Sequence, residues 1–215
     1  MKISTIIFDV DGVLIDSNKV IVEYYIKTAK VLGLRVPSTQ EVFKLLGKSL
    51  PDIVKILWPK NNSDVIVSTY RKFFETEVPK IPATVNAVET VKKLREMGYK
   101  LGVVSSKFRF FIDKHLIEAG FDLRLFDAIV SCEDTEKHKP NPDPILYACK
   151  ILNVKPEEIL YVGDAQFDYE SAKKAKVNYV AVLSGGLSEI EQKKLGVKNI
   201  ISSVVKLPKF LGVEK

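Results

Sequence analysis

An apolar run that ends in two carboxylates decides the fold of this chain, in the sequence STIIFDVDGV at residues 4–13. Such a run predicts a strand that is covered on both faces. Asp9 and Asp11 are two residues apart, so both side chains leave the strand end on the same side. Gly12 then lets the backbone turn sharply and approach a ligand closely. Two carboxylates held together repel each other unless a hard cation such as Mg²⁺ binds them, although an acidic turn without a function is the alternative interpretation.

Four further runs rich in β-branched residues predict strands, at residues 100–104, 128–130, 159–162 and 179–182. Four of the five predicted strands are apolar at nearly every position, which favours a parallel sheet over an antiparallel one. Helical patterns separate the later strands, at residues 87–97, 110–119, 143–152 and 169–175. The alternation of strand and helix predicts an α/β fold with right-handed crossovers and an open, doubly wound parallel sheet.

The connection after the first strand is much longer than one crossover requires. Residues 9–99 separate the first two strands, whereas a crossover needs only about a dozen residues. Helical patterns occupy most of this connection, and prolines interrupt it, at Pro37, Pro51, Pro59, Pro79 and Pro82. We therefore predict two domains, a catalytic core of residues 1–16 and 81–215 and an all-helical cap domain of residues 17–80. The aromatic residues of the cap are expected to form a small core of its own.

The composition argues against several classes of protein. The chain has 33 Lys and Arg against 27 Asp and Glu, which gives a formal net charge of +6. The lysines are dispersed among glutamates on helical segments, without an arginine-rich arm or a zinc-finger spacing, so we expect no nucleic-acid partner. A positive field would instead favour a small anionic substrate. No apolar stretch approaches the length of a membrane helix or a signal peptide, so we expect a cytoplasmic protein with no membrane partner and with reduced cysteines.

A second acidic element follows another apolar strand. Asp164 comes shortly after the predicted strand at residues 159–162, and Asp168 follows about one helical turn later. In a doubly wound sheet, ligands bind beyond the carboxyl ends of the strands, where the strand order reverses. If the strands that carry Asp9 and Asp164 are neighbours at that point, three carboxylates converge there. A helix N-cap is the alternative interpretation of Asp164.

Two further elements carry hydroxyl groups and a cation. Ser105 and Ser106 follow the strand at residues 100–104 and precede a helix, where hydroxyls and free N–H groups suit a phosphate group but also serve as ordinary helix caps. Lys139 lies in the sequence HKPNPDP at residues 138–144. The prolines hold this segment extended, which predicts that Lys139 is fixed at the mouth of the site. Its ammonium could there neutralise the first carboxylate and a transferring phosphoryl group.

These four elements, in this order and each after a strand, resemble the four motifs of the haloacid dehalogenase superfamily of phosphohydrolases. The sequence DVDGV at residues 9–13 matches the first motif, Ser105 the second, Lys139 the third, and Gly163-Asp164 together with Asp168 the fourth. The helical segment after the first motif is similar to the inserted cap of many members. The resemblance implies a Rossmann-like core with strand order 5-4-1-2-3, a magnesium ion and an aspartyl-phosphate intermediate.

The resemblance also implies a role for each acidic residue. Asp9 would attack phosphorus and carry the phosphoryl group, and Asp11 would protonate the leaving group and later deprotonate the attacking water. The Mg²⁺ ion would be held by Asp9 and Asp164 through their carboxylates and by Asp11 through its backbone carbonyl. Asp168 would support Lys139 and metal-bound water rather than bind the ion itself.

The substrate contacts that the resemblance implies come from the motifs and from the cap. The phosphoryl group would be held by four residues, namely Gly12, Ser105, Ser106 through its N–H, and Lys139. The sequence GKSL at residues 47–50 lies in the predicted cap, over the site. Lys48 would there contact the leaving group, with a solvated turn lysine as the alternative.

Particular residues narrow the activity within the superfamily. Asp11 is present, whereas dehalogenases and phosphonate hydrolases lack its equivalent, and Leu50 stands where sugar phosphomutases carry arginine. The sequence KPNPDP at residues 139–144 resembles phosphoglycolate phosphatases and bacterial pyrophosphatases, although Ser106 replaces the asparagine that many of them have. We predict a magnesium-dependent phosphatase, a monomer or homodimer, that hydrolyses a small phosphorylated metabolite such as phosphoglycolate through Asp9. The alternatives are an inorganic pyrophosphatase, a sugar phosphomutase and a catalytically inactive binding homologue.

Overall fold

One parallel sheet organises the part of the chain that the computed structural model describes, residues 3–77 and 80–214. Its strands are β1 (Thr5–Phe8), β2 (Lys100–Val104), β3 (Ala128–Val130), β4 (Ile159–Gly163), β5 (Asn178–Val182) and β6 (Ile200–Ile201). Their order across the sheet is β3-β2-β1-β4-β5-β6, and every neighbouring pair is parallel. The α/β class and the predicted order 5-4-1-2-3 are therefore confirmed for the first five strands, and β6 extends the sheet beyond β5.

Helices connect and cover the strands. In chain order they are α1 (Asn18–Val31), α2 (Thr39–Phe43), α3 (Leu50–Leu57), α4 (Ser63–Glu77), α5 (Ala87–Glu96), α6 (Arg109–Glu118), α7 (Asp143–Leu152), α8 (Gln166–Ala175), α9 (Glu189–Lys194) and α10 (Leu207–Phe210). Helix α2 ends at Phe43, where the chain turns towards Gly47, whose φ is 95°. The predicted break at Pro79 and both ends of the predicted core, residues 1–2 and 215, lie outside the described residues.

Strand β1 lies at the centre of the sheet, and its burial accounts for its apolar composition. All four of its residues are buried. The register pairs Phe8 with Val103 of β2 on one side and with Val162 of β4 on the other. The strand order reverses here, because the chain leaves β1 in one direction along the sheet and returns to the other side of it at β4. The carboxyl ends of β1 and β4 are therefore adjacent at the position where doubly wound sheets bind ligands.

Helices α1–α4 fill the connection between β1 and β2, and their aromatic residues pack against one another. The ring centroids of Tyr24 and Phe74 lie 4.4 Å apart, and those of Tyr25 and Tyr70 lie 4.6 Å apart. The ring of Phe74 also lies 5.5 Å from that of Phe111 on α6. These aromatic residues thus form one core with the helices that flank the sheet, rather than a separate core as predicted. The division into two domains itself stays a prediction.

Membrane spans and thiols can be assessed for the described residues. None of the helices there combines the length and the apolar character that a membrane span needs. Cys132 and Cys149 carry free thiols. Burial raises the pKa of Cys132 to about 12 and that of Cys149 to about 11. Both thiols are therefore protonated at neutral pH.

Candidate active site

Three buried carboxylates meet beyond the carboxyl ends of β1 and β4. Asp9 follows β1, Asp164 follows β4, and Asp168 lies in the first turn of α8. All three are at most 3% exposed, and each offers a carboxylate oxygen within 4.8 Å of the others. The strand register explains why Asp9 and Asp164 lie close together, because Phe8 pairs with Val162 and both β1 and β4 end within one residue of that pair.

The buried carboxylates destabilise one another's charged forms. Burial raises the pKa of Asp9 to about 7, with Lys139 opposing this shift and Asp168 and Asp11 adding to it. Burial also raises the pKa of Asp164 well above its ordinary value, and repulsion from Asp168 and Asp9 acts in the same direction. Such a cluster is costly unless a cation compensates its charge.

The donor set of this cluster fits a hard divalent cation. When the three carboxylates and the ammonium of Lys139 are all ionised, they leave two negative charges, which one divalent cation neutralises. Asp9 Oδ1 accepts no hydrogen bond from the described residues, although Lys139 Nζ lies 3.0 Å away in an ion pair. Carboxylate oxygens are ligands that Mg²⁺ prefers in proteins. Asp9 and Asp164 are better placed as ligands than Asp168, both of whose oxygens are already engaged by hydrogen bonds.

Lys139 lies buried among these carboxylates, which corrects the prediction that it stands at the mouth of the site. The residue is 2% exposed, and its Nζ lies 3.0 Å from Asp9 Oδ1 and 2.7 Å from Asp168 Oδ1. The ammonium also donates a hydrogen bond of 3.3 Å to the Tyr161 hydroxyl. Although burial opposes the charge, Asp168 and Asp9 raise the pKa of Lys139 above its ordinary value. The ammonium is therefore a permanent positive charge beside Asp9.

Asp168 joins the elements of the site through both of its carboxylate oxygens. Its Oδ1 accepts hydrogen bonds from Lys139 Nζ and, at 3.2 Å, from the Tyr161 hydroxyl. Its Oδ2 accepts from the backbone N–H groups of Asp164 and Ala165, at 3.2 and 3.1 Å. The geometry suits a positioning role for Asp168 towards Lys139 and the turn that carries Asp164. Tyr161 was not predicted, and its only signal in the sequence is a hydroxyl within a buried strand.

The carboxylate of Asp11 lies outside this cluster and has its own partners. Its Oδ1 accepts hydrogen bonds from the Ser17 hydroxyl and from the Lys107 ammonium. Both contacts restrain the side chain beside the cavity that Asp9 also lines. The predicted metal role of Asp11 rests on its backbone carbonyl, so these side-chain contacts leave it open. Neither Ser17 nor Lys107 was predicted as a site residue, because nothing local in the sequence marks either as a partner of Asp11.

Glycine residues let two loops approach Asp164 closely. Gly12 has a φ of 72°, and a Cβ there would lie 2.4 Å from Asp164 Oδ2. A Cβ on Gly185, in the loop after β5, would lie 1.8 Å from the same oxygen. The N–H of Gly186 donates a hydrogen bond of 2.8 Å to it. This second loop was not predicted, although the Gly185-Gly186 pair shortly after a predicted strand is a signal for close backbone approach.

The loop after β2 contacts the connection between α2 and α3. Ser105 is 4% exposed and Ser106 is half-buried, and both precede the first turn of α6 rather than forming it. Ser106 Oγ donates a hydrogen bond of 2.6 Å to the carbonyl of Gly47. The neighbouring Lys48 places its Nζ 4.2 Å from the ring centroid of Phe167. The two contacts join the predicted cap segment to the loop after β2 and to the first turn of α8, both at the carboxyl ends of the strands.

Most of the predicted site residues line one cavity of about 70 Å³. They are Asp9, Asp11, Lys48, Ser105, Ser106, Lys139 and Asp164. The other two predicted residues, Gly12 and Asp168, do not line the cavity but lie against Asp164, which does. The rest of the wall is mostly apolar and includes residues that the sequence did not assign to a site, namely Ile21, Tyr25, Tyr70, Phe74, Phe111 and His115. The structure therefore adds a largely aromatic wall to the predicted set of site residues.

Comparison with known proteins points to one family. A protein-family sequence model described as haloacid dehalogenase-like hydrolase matches residues 6–182 of the chain. A provisionally named pyrophosphatase PpaX from Caldanaerobacter subterraneus subsp. tengcongensis is 38% identical over 186 residues, which cover 85% of this chain and 82% of the relative. The pyrophosphatase PpaX of Bacillus cereus is 32% identical over 183 residues, which cover 85% and 84%. A solved structure, a provisionally named haloacid dehalogenase-like hydrolase from Bacteroides fragilis, has a TM-score of 0.86 at 29% identity and covers 96% of this chain and 100% of its own.

Proposed function

The chain belongs to the haloacid dehalogenase-like hydrolases, and from this premise we propose that it is a phosphatase that hydrolyses a small phosphomonoester through Asp9. The observation that carries the proposal is a buried carboxylate paired with a buried ammonium at the end of the central strand, with Lys139 Nζ 3.0 Å from Asp9 Oδ1. An ammonium in this position can bind an oxygen of a phosphoryl group that approaches Asp9. The nucleophile and its electrostatic support are thus adjacent.

Asp9 would attack phosphorus in line as a carboxylate. The new bond joins a carboxylate oxygen to phosphorus, while the bond between phosphorus and the leaving oxygen breaks and its electron pair stays on that oxygen. Asp11 would give the leaving oxygen a proton. In the second half-reaction Asp11 would accept a proton from the water that attacks the acyl phosphate and releases inorganic phosphate. The contacts with Ser17 and Lys107 would hold Asp11 in one position for both proton transfers.

The phosphoryl oxygens would be held by the Ser105 hydroxyl, the Ser106 N–H and the Lys139 ammonium, above the turn at Gly12. Asp168 would position Lys139 through the hydrogen bond of 2.7 Å between them. These groups would bind the phosphoryl group more strongly as charge develops on its oxygens in the transition state.

Mg²⁺ is the cofactor that the carboxylate cluster supports. The carboxylates of Asp9 and Asp164, with the backbone carbonyl of Asp11, would hold it. When bound, the ion would supply positive charge that offsets the repulsion between an anionic nucleophile and an anionic substrate.

We further propose that residues 17–80 act as a cap over the cavity. The hydrogen bond from Ser106 to Gly47 and the contact of Lys48 with Phe167 would hold the cap closed and exclude water during the reaction. Because the Lys48 ammonium lies against an aromatic ring, it would have to leave Phe167 before it could pair with a leaving group.

Hydrolysis of inorganic pyrophosphate is the second candidate function. Two relatives more than 30% identical to the chain carry the name pyrophosphatase PpaX. Phosphoglycolate, predicted from the motifs, and pyrophosphate both carry an anionic leaving group, so the two candidates must be compared directly.

Release of inorganic phosphate from p-nitrophenyl phosphate, phosphoglycolate and pyrophosphate, with Mg²⁺ and with excess EDTA, tests the proposal. At least one of these should be hydrolysed with Mg²⁺, and Asp9→Asn should lose about 10³-fold or more of kcat because an amide cannot form the acyl phosphate. Asp16→Asn, a change at an exposed carboxylate nearby, is the matched control. Turnover near wild type in Asp9→Asn would exclude Asp9 as the nucleophile. Phosphoryl transfer between sugars without phosphate release would indicate a mutase, and binding without any turnover an inactive homologue.

A further inference from the structure

His115 is a buried imidazole without a hydrogen-bond partner in the cavity wall. It is 1% exposed, and neither ring nitrogen has a partner among residues 3–77 and 80–214. Its ring stacks on Phe111 with centroids 5.9 Å apart and lies 5.5 Å from the ring of Phe74. Buried polar atoms without a partner are rare in folded proteins, because they have lost their hydrogen bonds to water. Since the His115 side chain lines the same cavity as Asp9, a rotation of its ring would let a molecule bound there supply the missing partner.

The imidazole of His115 is uncharged at any pH at which a phosphatase of this kind would work. Burial lowers the pKa of His115 to about 3, and the nearby Lys107 ammonium lowers it further while Asp11 opposes the shift. A neutral imidazole has one N–H donor and one nitrogen acceptor. It therefore suits a hydroxyl or carbonyl group, and it offers an anionic group no charge.

Apart from the ion pair between Asp11 and Lys107, the wall around His115 is also uncharged. Ile21 and Phe74 are apolar, and Tyr25 and Tyr70 are buried phenols whose pKa values burial raises well above the ordinary value. Neutral phenols and aromatic faces favour a partner with an apolar surface. This part of the cavity therefore matches an uncharged group with few polar atoms.

Each lysine that lines the cavity already has a partner among the described residues. Lys139 pairs with Asp9 and Asp168, and Lys107 pairs with Asp11. The Lys48 ammonium lies 4.2 Å from the ring centroid of Phe167. A second anionic group on the leaving side would therefore have to break one of these contacts or remain without a counter-charge in a buried site, which is costly.

We propose that the wall around His115 is the leaving-group pocket and that the substrate is a phosphate ester of an uncharged alcohol. The leaving group would place an apolar face against Phe74 and Phe111 and one hydroxyl or carbonyl group against His115. This inference rests on the proposed phosphatase function, because it assigns a role only to the part of the substrate that leaves Asp9. His115 is then a specificity-determining residue, and pyrophosphate and phosphoglycolate are poor substrates.

Three esters that differ only on the leaving side test this assignment in the wild-type enzyme with Mg²⁺. Phosphoglycolate carries a carboxylate, phosphoglycolamide carries an uncharged amide of nearly the same size, and propyl phosphate carries no polar group. The kcat/KM for phosphoglycolamide should exceed that for phosphoglycolate by about tenfold or more, because the carboxylate would be buried unpaired. Pyrophosphate should be hydrolysed less efficiently than phosphoglycolamide for the same reason.

His115→Phe keeps the stacked ring and removes both nitrogens. This variant should lose about tenfold of kcat/KM on phosphoglycolamide and change by less than about twofold on propyl phosphate, because only the amide has a hydrogen bond to lose. Tyr179→Phe is the matched control. Its hydroxyl is also buried without a partner among the described residues, but Tyr179 does not line the cavity. It should leave the ratio between the two substrates unchanged.

The outcomes separate this inference from the proposed function. If phosphoglycolate or pyrophosphate is the better substrate while p-nitrophenyl phosphate is also hydrolysed through Asp9, the phosphatase stands and the uncharged pocket is wrong. Equal losses on phosphoglycolamide and propyl phosphate in His115→Phe would mean that the histidine supports only the fold, and would overturn its role in specificity. If the wild type releases phosphate from none of these compounds, the proposed function fails and the inference fails with it.

Discussion

Replacement of Asp9 by asparagine should stabilise the metal-free protein while it abolishes turnover. The pKa of Asp9 in the folded protein is about 7, raised chiefly by burial from an ordinary value of 3.8. Between these two pH values the folded state holds a proton that the unfolded state has released, so the free energy of unfolding falls as the pH rises. Above about pH 7 the metal-free protein carries the whole cost of an ionised, buried carboxylate.

The size of this cost follows from the shift. The difference between about 7 and 3.8 is about 3 pKa units, and each unit is worth about 1.4 kcal/mol, which gives a cost on the order of 4 kcal/mol. Asparagine has nearly the same shape without the charge, but its buried amide N–H₂ costs about 1–3 kcal/mol where it lacks an acceptor. We therefore expect the free energy of unfolding of Asp9→Asn to exceed that of the wild type by about 2 kcal/mol at pH 8. For a chain of this length, this corresponds to an increase of about 4 °C or more in Tm.

Urea unfolding followed by circular dichroism in EDTA, at pH 5 and pH 8, measures this effect. The wild type should be less stable at pH 8 than at pH 5, and Asp9→Asn should lose less stability over the same range. Asp64→Asn, a change at an exposed carboxylate, should follow the wild type. Mg²⁺ added at pH 8 should stabilise the wild type more than the variant, because Asp9 is a proposed ligand. A wild type that gains stability from pH 5 to pH 8 in EDTA, or an Asp9→Asn variant less stable than the wild type at pH 8, would refute the reasoning.

Three further predictions concern the metal, the ion pair and the contact across the cavity. Excess EDTA should abolish phosphate release. Asp164→Ala should raise the Mg²⁺ concentration needed for half-maximal phosphate release by about tenfold or more. An unchanged Mg²⁺ titration would exclude Asp164 as a ligand. Asp168→Asn should lower Tm by about 4 °C or more, because an amide has only one oxygen to accept the hydrogen bonds that Asp168 receives from Lys139 and from the N–H groups of Asp164 and Ala165. A buried donor left without an acceptor costs about 1–3 kcal/mol, and an unaltered thermal melt would contradict this. Ser106→Ala should raise KM by about 2- to 10-fold with little change in Tm, because it removes only the hydrogen bond to Gly47; a large loss of Tm instead would make that bond structural.

The sheet could be predicted because its strands carry their own signal. A strand covered on both faces is apolar along its whole length, and alternating helices require parallel neighbours. Strand β6 escaped prediction because Ile200–Ile201 has only two residues, which is too short to show a period. Helices α9 and α10 are six and four residues long, and they escaped for the same reason.

The candidate site could be predicted only as far as the strand ends determine it. Asp9 and Asp164 are far apart in the chain, but parallel pairing of β1 with β4 brings them together once the strands are recognised. The ion pair between Asp11 and Lys107 cannot be predicted from strand pairing in this way. These residues are 96 positions apart, and a lysine shortly before a helix is ordinary in any sequence. Long-range pairs that depend on loop packing therefore become visible only in the structure.

Substrate choice is harder to predict than the reaction, and His115 shows why. In the sequence it stands four residues after Phe111 and next to Leu116, within the apolar face of a helix, where the pattern indicates a core position. The structure agrees that the residue is buried, but the wall it belongs to is completed by Phe74 and Tyr70 from α4. The proposed reacting groups stand at strand ends, so the sheet fixes their positions. The proposed leaving-group wall depends instead on how α1 and α4 pack against α6, and no local pattern encodes that contact. Two chains with the same four motifs can therefore share the chemistry at Asp9 and still select different alcohols.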